Sequence, residues 1–358
     1  MIRPRPGIER VVRVDDPAVD REHYLCLDKN ERVDDRAGVF FKTLLGQLSP
    51  RDLTQYPVIE FFRRRLAARV GLPAESVLLT AGSDPAIKAV FEVFVRRGDR
   101  VVLPRPTFAM YNVYGRLFGA RLVELTYGDR LAFPVKNILA ALEDRPRLLV
   151  LPNPNSPTGT LLSRNDLRSV LTKARRRSTV VLVDEAYFEF SGATALDWVP
   201  RFPNLVVTRT FSKAGGLAGV RLGFAAAHPR TIDLLRRVKP MYEINGVALR
   251  FGETLLKNPG LVARYARDAN RGRDYLERQF RRLGLRAFKS HANFILVPLP
   301  DRLDARAIAD ALRKKKVLIK GGFPDAALRN CLRVTTAPVP VMKKFWKIFE
   351  PLYREVAA

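Results

Sequence analysis

The chain has 358 residues, 47% of them apolar, and carries 63 lysines and arginines against 36 aspartates and glutamates, a formal net charge of +27. This length exceeds the size at which one hydrophobic core usually stops growing, so we expect a large domain and a smaller one. The sequence has no run of about 18 apolar residues, no signal peptide and only two cysteines, which favours a cytoplasmic protein without a membrane span or a disulfide framework.

Apolar, β-rich runs alternate with amphipathic helical stretches through the first two thirds of the chain. Strands are predicted over residues 77–80, 100–104, 148–152, 180–184, 205–210 and 222–226. Between them, helices are predicted over residues 85–96 and 164–175, and Ser163 is the expected N-cap of the second. This alternation predicts an α/β domain with a mostly parallel sheet covered by helices on both faces.

The last third of the chain has a different pattern, typical of a smaller α+β domain. Helices are predicted over residues 231–239, 259–283 and 305–315 and after Pro340, and strands over 294–298, 317–320 and 332–335. We therefore predict an N-terminal arm over residues 1–35, a large domain over 36–240 and a small C-terminal domain over 241–358. The boundary is expected to fall within a long helix.

The stretch Thr-Phe-Ser-Lys-Ala-Gly-Gly-Leu-Ala-Gly-Val-Arg-Leu-Gly, residues 210–223, directly follows a predicted strand. Ligands of doubly wound sheets bind outside the carboxyl ends of the strands, so Lys213 is predicted to face a cleft, as a Schiff-base lysine requires. Arg221 can present its planar fork to a phosphate, and Ser212 adds a hydroxyl. Taken alone, this pattern would also suit a lysine in a surface loop.

The segment Val-Asp-Glu-Ala-Tyr, residues 183–187, ends another apolar strand with a carboxylate. A buried carboxylate is costly unless it is paired, and a pyridinium nitrogen is a suitable partner for Asp184. Tyr187, three residues later, can donate to a phenolic oxygen of the same ring. The alternative is an aspartate that only caps a turn.

Two further strand ends carry turn motifs. Gly82, Ser83 and Asp84 open a helix with Pro85 in its first turn, and the N–H groups there form an anion site. The turn Asn-Pro-Asn-Ser-Pro-Thr-Gly at 153–159 presents asparagine side chains at the end of its strand. Either motif alone is also typical of ordinary strand–turn–helix connections.

Together the four patterns resemble the fold-type I pyridoxal 5'-phosphate (PLP)-dependent aminotransferases of class I and II, from about residue 27 to 338. The segment Pro-Thr-Phe-Ala-Met-Tyr at 106–111 adds to the resemblance, which is closest to the histidinol-phosphate aminotransferase branch. It implies a large PLP-binding domain and a smaller α+β domain. It also implies that Lys213 is the catalytic residue that carries PLP, Asp184 pairs with the ring nitrogen and Tyr187 meets O3'.

The resemblance extends to the rest of the cofactor site. Arg221 and Ser212 are implied to hold the cofactor phosphate together with the turn at 82–84, and Asn155 is the expected second contact of O3', although Ser156 directly precedes Pro-Thr-Gly. Phe108 is expected to stack on the pyridine ring. Tyr56 resembles a tyrosine that reaches the phosphate in the neighbouring subunit, which implies a homodimer with shared active sites.

Three residues are expected to bind substrate. Arg333, in Cys-Leu-Arg-Val-Thr, matches the arginine that grips the substrate carboxylate, and Lys320 is the nearest equivalent of an arginine that meets a substrate phosphate. Asn30 belongs to the opening Leu-Asp-Lys-Asn-Glu-Arg, which differs from the more usual Leu-Asn-x-Asn-Glu. No metal is expected.

Three functions remain open at this point. The first is a transaminase that takes an amino acid or a phosphorylated amino alcohol and returns the cofactor with a keto acid such as 2-oxoglutarate. The second is a decarboxylase of phosphoserine- or phosphothreonine-type substrates. The third, nucleic-acid binding on an inactive scaffold, is motivated by the net charge. The intact cofactor motifs and the dispersed basic clusters disfavour it, because dispersed clusters are typical of solvated faces.

Overall fold

The computed structural model describes residues 8–11, 19–34 and 37–357. Within these residues the strands are β1 (Leu25–Cys26), β2 (Val77–Thr80), β3 (Arg100–Arg105), β4 (Arg121–Thr126), β5 (Leu148–Pro152), β6 (Val180–Asp184), β7 (Leu205–Thr210), β8 (Gly223–Ala227), β9 (Phe294–Pro298), β10 (Val317–Leu318), β11 (Lys320–Gly321) and β12 (Cys331–Thr335). The helices are α1 (Ala37–Leu45), α2 (Arg51–Thr54), α3 (Glu60–Arg69), α4 (Ser83–Phe94), α5 (Ala109–Leu117), α6 (Val135–Ala141), α7 (Arg164–Arg176), α8 (Phe188–Ser191), α9 (Pro229–Arg237), α10 (Gly246–Lys257), α11 (Pro259–Arg282), α12 (Ala305–Lys314) and α13 (Val339–Ala357). None of the described helices is long and apolar enough to cross a membrane.

A seven-stranded sheet in the order β2-β8-β7-β6-β5-β3-β4 forms the centre of the large unit. Strands β7, β6, β5, β3 and β4 run parallel, and β8 is antiparallel to both of its neighbours. The predicted mostly parallel sheet is confirmed. Strand β4 was missing from the sequence prediction because its residues Arg121–Thr126 mix exposed and partly buried side chains at the sheet edge.

Helices cover both faces of this sheet, and alternate residues of each strand pack on opposite sides. In β6, Val181 and Val183 join a core with Leu171 of α7, whereas Leu182 joins a second core with Phe91 of α4. Full burial of such a side chain contributes about 1.5–3 kcal/mol, so the two cores fix the orientation of every central strand. The strand ends beyond the cores are thereby held in register.

The smaller unit is an antiparallel sheet, β11-β12-β9, packed against α11, α12 and α13. Its core contains the rings of Phe280, Phe345 and Phe349. The strand predicted over 317–320 is wrong as a single element, because β10 pairs with β1 from the beginning of the chain while β11 pairs with β12. This split joins the N-terminal segment to the smaller unit.

The helix predicted to cross residue 240 does not form, since α9 ends at Arg237 and α10 begins at Gly246. Ala248 and Leu249 of α10 pack in the core of the large sheet. The domain limits at 35 and 240 stay predictions, and much of the predicted arm over residues 1–35 lies outside the described residues.

Candidate active site

The predicted site residues follow strand ends at one edge of the large sheet. Asp184 is the last residue of β6, and Lys213 follows β7 by three residues. Gly82 follows β2, and Arg221 precedes β8, whose reversed direction brings its first residue to the same edge as the ends of β2 and β7. The turn at 153–159 follows the end of β5, which runs parallel to β6, so all four motifs lie at the same edge, as expected for a doubly wound sheet.

Asp184 is a buried carboxyl held by two hydroxyls. Tyr111 donates a hydrogen bond of 2.7 Å to Oδ2, and Thr208 donates one of 3.1 Å to Oδ1. Burial raises the pKa of Asp184, and these two hydrogen bonds oppose that shift. No cationic side chain of the described residues pairs with this carboxyl, so a protonated ring nitrogen would be a fitting partner.

An anion cradle lies at the beginning of α4. The guanidinium of Arg221 donates to the carbonyl of Ala81 at 3.2 Å and to the hydroxyl of Ser212 at 3.3 Å. Gly82 caps the helix with φ +88°, and a Cβ there would lie 2.5 Å from Nη2 of Arg221. The backbone N–H groups after Gly82, including those of Ser83 and Asp84, carry no helical partner and favour an anion.

Residues 27–30, which we call the N-terminal strap, close the site from the side of the smaller unit. Nζ of Lys213 donates to the carbonyl of Lys29 at 3.0 Å. Nδ2 of Asn30 donates to the Tyr187 hydroxyl at 2.9 Å, and the backbone N–H of Asn30 donates to Thr335 Oγ1 at 3.0 Å. The strap thus contacts the predicted cofactor lysine and the predicted O3' tyrosine at once.

The smaller unit contributes two cations. Arg333 donates to the carbonyl of Asp28 at 2.6 Å and to the hydroxyl of Ser156 at 3.2 Å, while its Nε is buried without a hydrogen-bond partner. Burial lowers the pKa of Arg333. Lys320 lies directly opposite Arg333 in the β11–β12 ladder, and residues paired in this way point to the same face. Lys320 is exposed.

Three other predicted site residues, Asn155, Phe108 and Tyr56, differ in how exposed they are. Asn155 is buried, and its amide nitrogen donates to the Pro106 carbonyl and to Thr158 Oγ1. Its amide nitrogen therefore already donates to two protein groups, and its predicted contact with O3' stays a prediction. Phe108 is 40% exposed and meets Tyr111 edge-on at 5.5 Å, next to Asp184. Tyr56 lies at the surface, stacked on Tyr242 with ring centroids 4.0 Å apart.

Sequence reasoning missed the groups that position the predicted residues. Tyr111 and Thr208 support Asp184, and the Lys29 carbonyl supports Lys213. Tyr111 had a detectable signal, because it ends the motif at 106–111 three residues after Phe108. The strap contacts had none, since they join residues that are far apart in the chain.

A lysine at a strand end, a buried carboxyl in need of a cationic partner and an anion cradle at a helix N-terminus define a PLP-dependent enzyme of fold type I. The chain matches the family model of the class I and II aminotransferases over residues 27–343, and it belongs to that family. It is a PLP-dependent aminotransferase, and the donor set described above fits that cofactor.

Among curated relatives, the histidinol-phosphate aminotransferase of Caldanaerobacter subterraneus subsp. tengcongensis is 33% identical over 283 residues, 78% of this chain and 79% of that protein. The histidinol-phosphate aminotransferase of Symbiobacterium thermophilum is 37% identical over 289 residues, 79% of this chain and 78% of that protein. The crystal structure of the Sinorhizobium meliloti histidinol-phosphate aminotransferase in complex with PLP has a TM-score of 0.88 at 23% identity, covering 99% of this chain and 98% of that one. The L-threonine-O-3-phosphate decarboxylase of Porphyromonas gingivalis shares the fold, with a TM-score of 0.79 at 22% identity and coverage of 92% and 99%.

Proposed function

We propose that this aminotransferase acts on an amino acid or a phosphorylated amino alcohol of the histidinol-phosphate type, with 2-oxoglutarate as amino acceptor. The observation that carries the proposal is the pair of cations, Arg333 and Lys320, opposite each other on β12 and β11. Arg333 offers a planar fork for a carboxylate, and Lys320 offers a point charge for a phosphate. The curated relatives named above support the same substrate class.

In this proposal Lys213 carries the cofactor and later moves the reacting proton. When bound, PLP supplies the electron sink that stabilises negative charge at the substrate Cα. Nζ of Lys213 takes the Cα proton and returns it at C4' of the cofactor. Asp184 keeps the ring nitrogen protonated, and Tyr187 holds O3'.

The remaining residues bind and orient. Arg221 and Ser212 hold the phosphate of PLP together with the N–H groups of the turn at 82–84. Phe108, next to Tyr111 and Asp184, covers the ring. Asn30 fixes the hydroxyl of Tyr187 from the strap.

A homodimer is part of the proposal, and an exposed apolar patch supports it. The patch comprises Leu53, Tyr56, Val58, Phe61, Met241 and Tyr242, each at least 57% exposed. Large exposed side chains grouped in this way are typical of protein interfaces. We propose that Tyr56 reaches the cofactor phosphate of a second copy through this patch.

The first test is a visible absorption spectrum of the PLP-loaded protein before and after single amino donors are added. Histidinol phosphate should bleach the yellow band as the cofactor takes the amino group, and 2-oxoglutarate should restore it. Phosphoserine, glutamate and an aromatic amino acid complete the panel. A band that no amino donor bleaches would contradict the proposed substrate class.

The phosphate contact is tested separately with Lys320→Ala. We expect KM for histidinol phosphate to rise about tenfold, since the loss of one charge contact costs on the order of 1.4 kcal/mol, with little change in the reaction of an unphosphorylated donor. Lys314→Ala, an exposed lysine on α12, is the matched control. Equal KM values for the two variants would show that Lys320 does not contact the substrate phosphate.

Decarboxylation of a phospho-amino acid is the alternative, favoured by the shared fold of the Porphyromonas gingivalis decarboxylase. The bond that aligns with the π-system of the cofactor is the one that breaks, so the orientation set by Arg333 and Lys320 decides between the two reactions. Release of carbon dioxide from phosphothreonine without consumption of 2-oxoglutarate would establish the alternative.

A further inference from the structure

Helix α7 presents a strongly basic surface on the large unit, on the side that faces away from the sheet. Its buried residues Leu167, Val170, Leu171 and Ala174 pack on the large core. Two open grooves, about 650 and 700 Å³ in volume, flank the exposed ridge formed by Arg168, Thr172 and Arg176. We call this ridge and its two grooves the α7 face.

The positive charge of the α7 face is largely uncompensated. Seven lysine and arginine side chains line the grooves, and Glu143 is the single acidic residue among the lining residues. That carboxylate already pairs with Lys173 and Arg177. Arg164 pairs with Asp197, whereas Arg168, Arg176 and Arg201 are exposed and have no carboxylate partner among the described residues. Such a local excess attracts anions and concentrates them near the surface.

The arrangement fits a chain of phosphates better than a single anion. Arg168 and Arg176 fall on one i, i+4 row of the helix, about 12 Å apart along the axis, and Arg201 lines the same groove. The hydroxyl groups of Ser169 and Thr172 donate to the carbonyls of Asn165 and Arg168 at 3.0 and 2.8 Å, so the arginines are the donors that this face offers to a ligand. Arginine forks bind phosphate oxygens in a bidentate manner, so several successive phosphates can be held along the row.

The second groove also offers aromatic surface beside the cations. Phe202 lines it and is partly exposed, whereas Trp198 is buried beneath the guanidinium of Arg164, so the ring of Phe202 is the aromatic surface that a ligand in this groove can reach. Rings beside a basic groove are typical of proteins that bind single strands, because exposed bases stack on them. An anionic membrane is a poorer fit, since none of the lining residues is an exposed large apolar side chain that could enter the bilayer.

We propose that the α7 face binds the backbone of single-stranded nucleic acid, independently of the aminotransferase reaction. Contacts to phosphate carry no sequence information, so binding is expected to tolerate many sequences. Each phosphate that the arginines neutralise releases counterions, and binding must therefore weaken steeply with salt.

The test uses the full-length, PLP-loaded protein and a fluorescent oligouridylate, with anisotropy measured between about 50 and 200 mM salt. In Arg168→Ala/Arg176→Ala/Arg201→Ala we expect affinity to fall at least about tenfold and the log–log salt slope to shrink by about 2, because a single strand contributes about 0.7 per phosphate contact. The variant should keep the yellow cofactor band of the parent protein.

The matched control is Arg267→Ala/Arg278→Ala/Lys315→Ala, which removes the same charge from exposed positions of α11 and the end of α12. It should lose little affinity and keep the slope. An equal loss in both variants would overturn the proposal in favour of diffuse attraction by the net charge. Equally tight binding of a poly-glutamate peptide, or tighter binding of a duplex, would also overturn it.

Discussion

Asp184 ends a strand that the sequence predicts and Lys213 follows another, but their hydrogen-bond partners belong to distant segments of the chain. The motif residues were predictable because strand–turn patterns place them at one sheet edge. Tyr111 and the Lys29 carbonyl were not, since a hydrogen bond between distant segments leaves no local pattern. At the scale of single residues, the sequence thus identifies chemical groups, and packing determines what orients them.

Tyr111 orients the carboxyl that we assign to the ring nitrogen. Tyr111→Phe removes the 2.7 Å hydrogen bond to Asp184 and leaves the ring in place. A hydrogen bond to a charged group contributes about 1.5–3 kcal/mol, so the affinity for PLP should fall about tenfold or more. Titration of the apoprotein with PLP, followed by tryptophan fluorescence, measures this.

The control for this change is Tyr353→Phe, which alters a buried tyrosine of α13 in the smaller unit. It should leave the dissociation constant for PLP unchanged. If both variants bind PLP like the parent protein, the Tyr111 hydrogen bond contributes nothing to the cofactor site.

Glu189 gives the protein a pH-dependent stability. Burial raises the pKa of Glu189 to about 7, and its Oε2 has no hydrogen-bond partner. Because the folded pKa lies above that of the unfolded chain, the protonated carboxyl is favoured in the folded state, and this contribution is lost as pH rises toward and through 7. The free energy of unfolding should therefore fall with pH at this site.

Glu189→Gln removes that titration. Between about pH 5 and pH 8, the stability of the variant relative to the parent should rise by about 2 kcal/mol, measured by urea unfolding of the PLP-loaded proteins. Glu355→Gln, at an exposed position of α13, should show a constant difference. A constant difference for Glu189→Gln as well would mean that this carboxyl stays ionised across the range.

At the scale of elements, the sequence predicts the central strands almost residue by residue. β2, β5, β6 and β7 have the predicted bounds, because each is a short apolar run between turn residues. Strand β4 is not predicted because it lies at the edge of the sheet and carries polar residues. The sequence does not predict the division of residues 317–320 into β10 and β11. Composition cannot show that the first half of this run pairs with β1 and the second half with β12.

The turn into α4 provides a matched pair of glycines. Gly82 and Gly98 have φ of +88° and +89°, but a Cβ at 82 would meet Arg221 at 2.5 Å whereas a Cβ at 98 meets nothing within 4 Å. Gly98→Ala should therefore cost only backbone strain, on the order of 1 kcal/mol or somewhat more. Gly82→Ala should also strain the backbone, and in addition it should displace Arg221.

We expect the affinity of Gly82→Ala for PLP to fall at least about tenfold, while Gly98→Ala binds PLP like the parent. Absorbance titration of the two apoproteins measures both dissociation constants, and urea unfolding measures the loss of stability in each variant. Equal affinities would show that the guanidinium of Arg221 can move aside without loss of the anion cradle.

At the scale of the whole molecule, the exposed patch around Tyr56 should be the dimer interface. Val58→Asp/Phe61→Asp places two charges in it, and burial of an unpaired charge in an interface is strongly unfavourable. We expect the variant to sediment as a monomer at concentrations where the parent is a dimer. Leu234→Asp/Val356→Asp, at exposed apolar positions elsewhere, should remain dimeric.

The N-terminal strap has a consequence for the order in which the protein is made. Asn30 and Thr335 are 305 residues apart in the chain, yet a hydrogen bond joins them, one residue from the Lys29 carbonyl that accepts from Lys213. During translation the strap leaves the ribosome well before β12, because about 300 residues separate them. All strands of the large sheet are synthesised before β12, so this sheet can form before the strap has its partner Thr335. We therefore expect closure of the active site to be a late step of folding. Contacts of such long sequence separation form slowly, and a nascent chain that stalls before β12 would have its strands in place and its active site open.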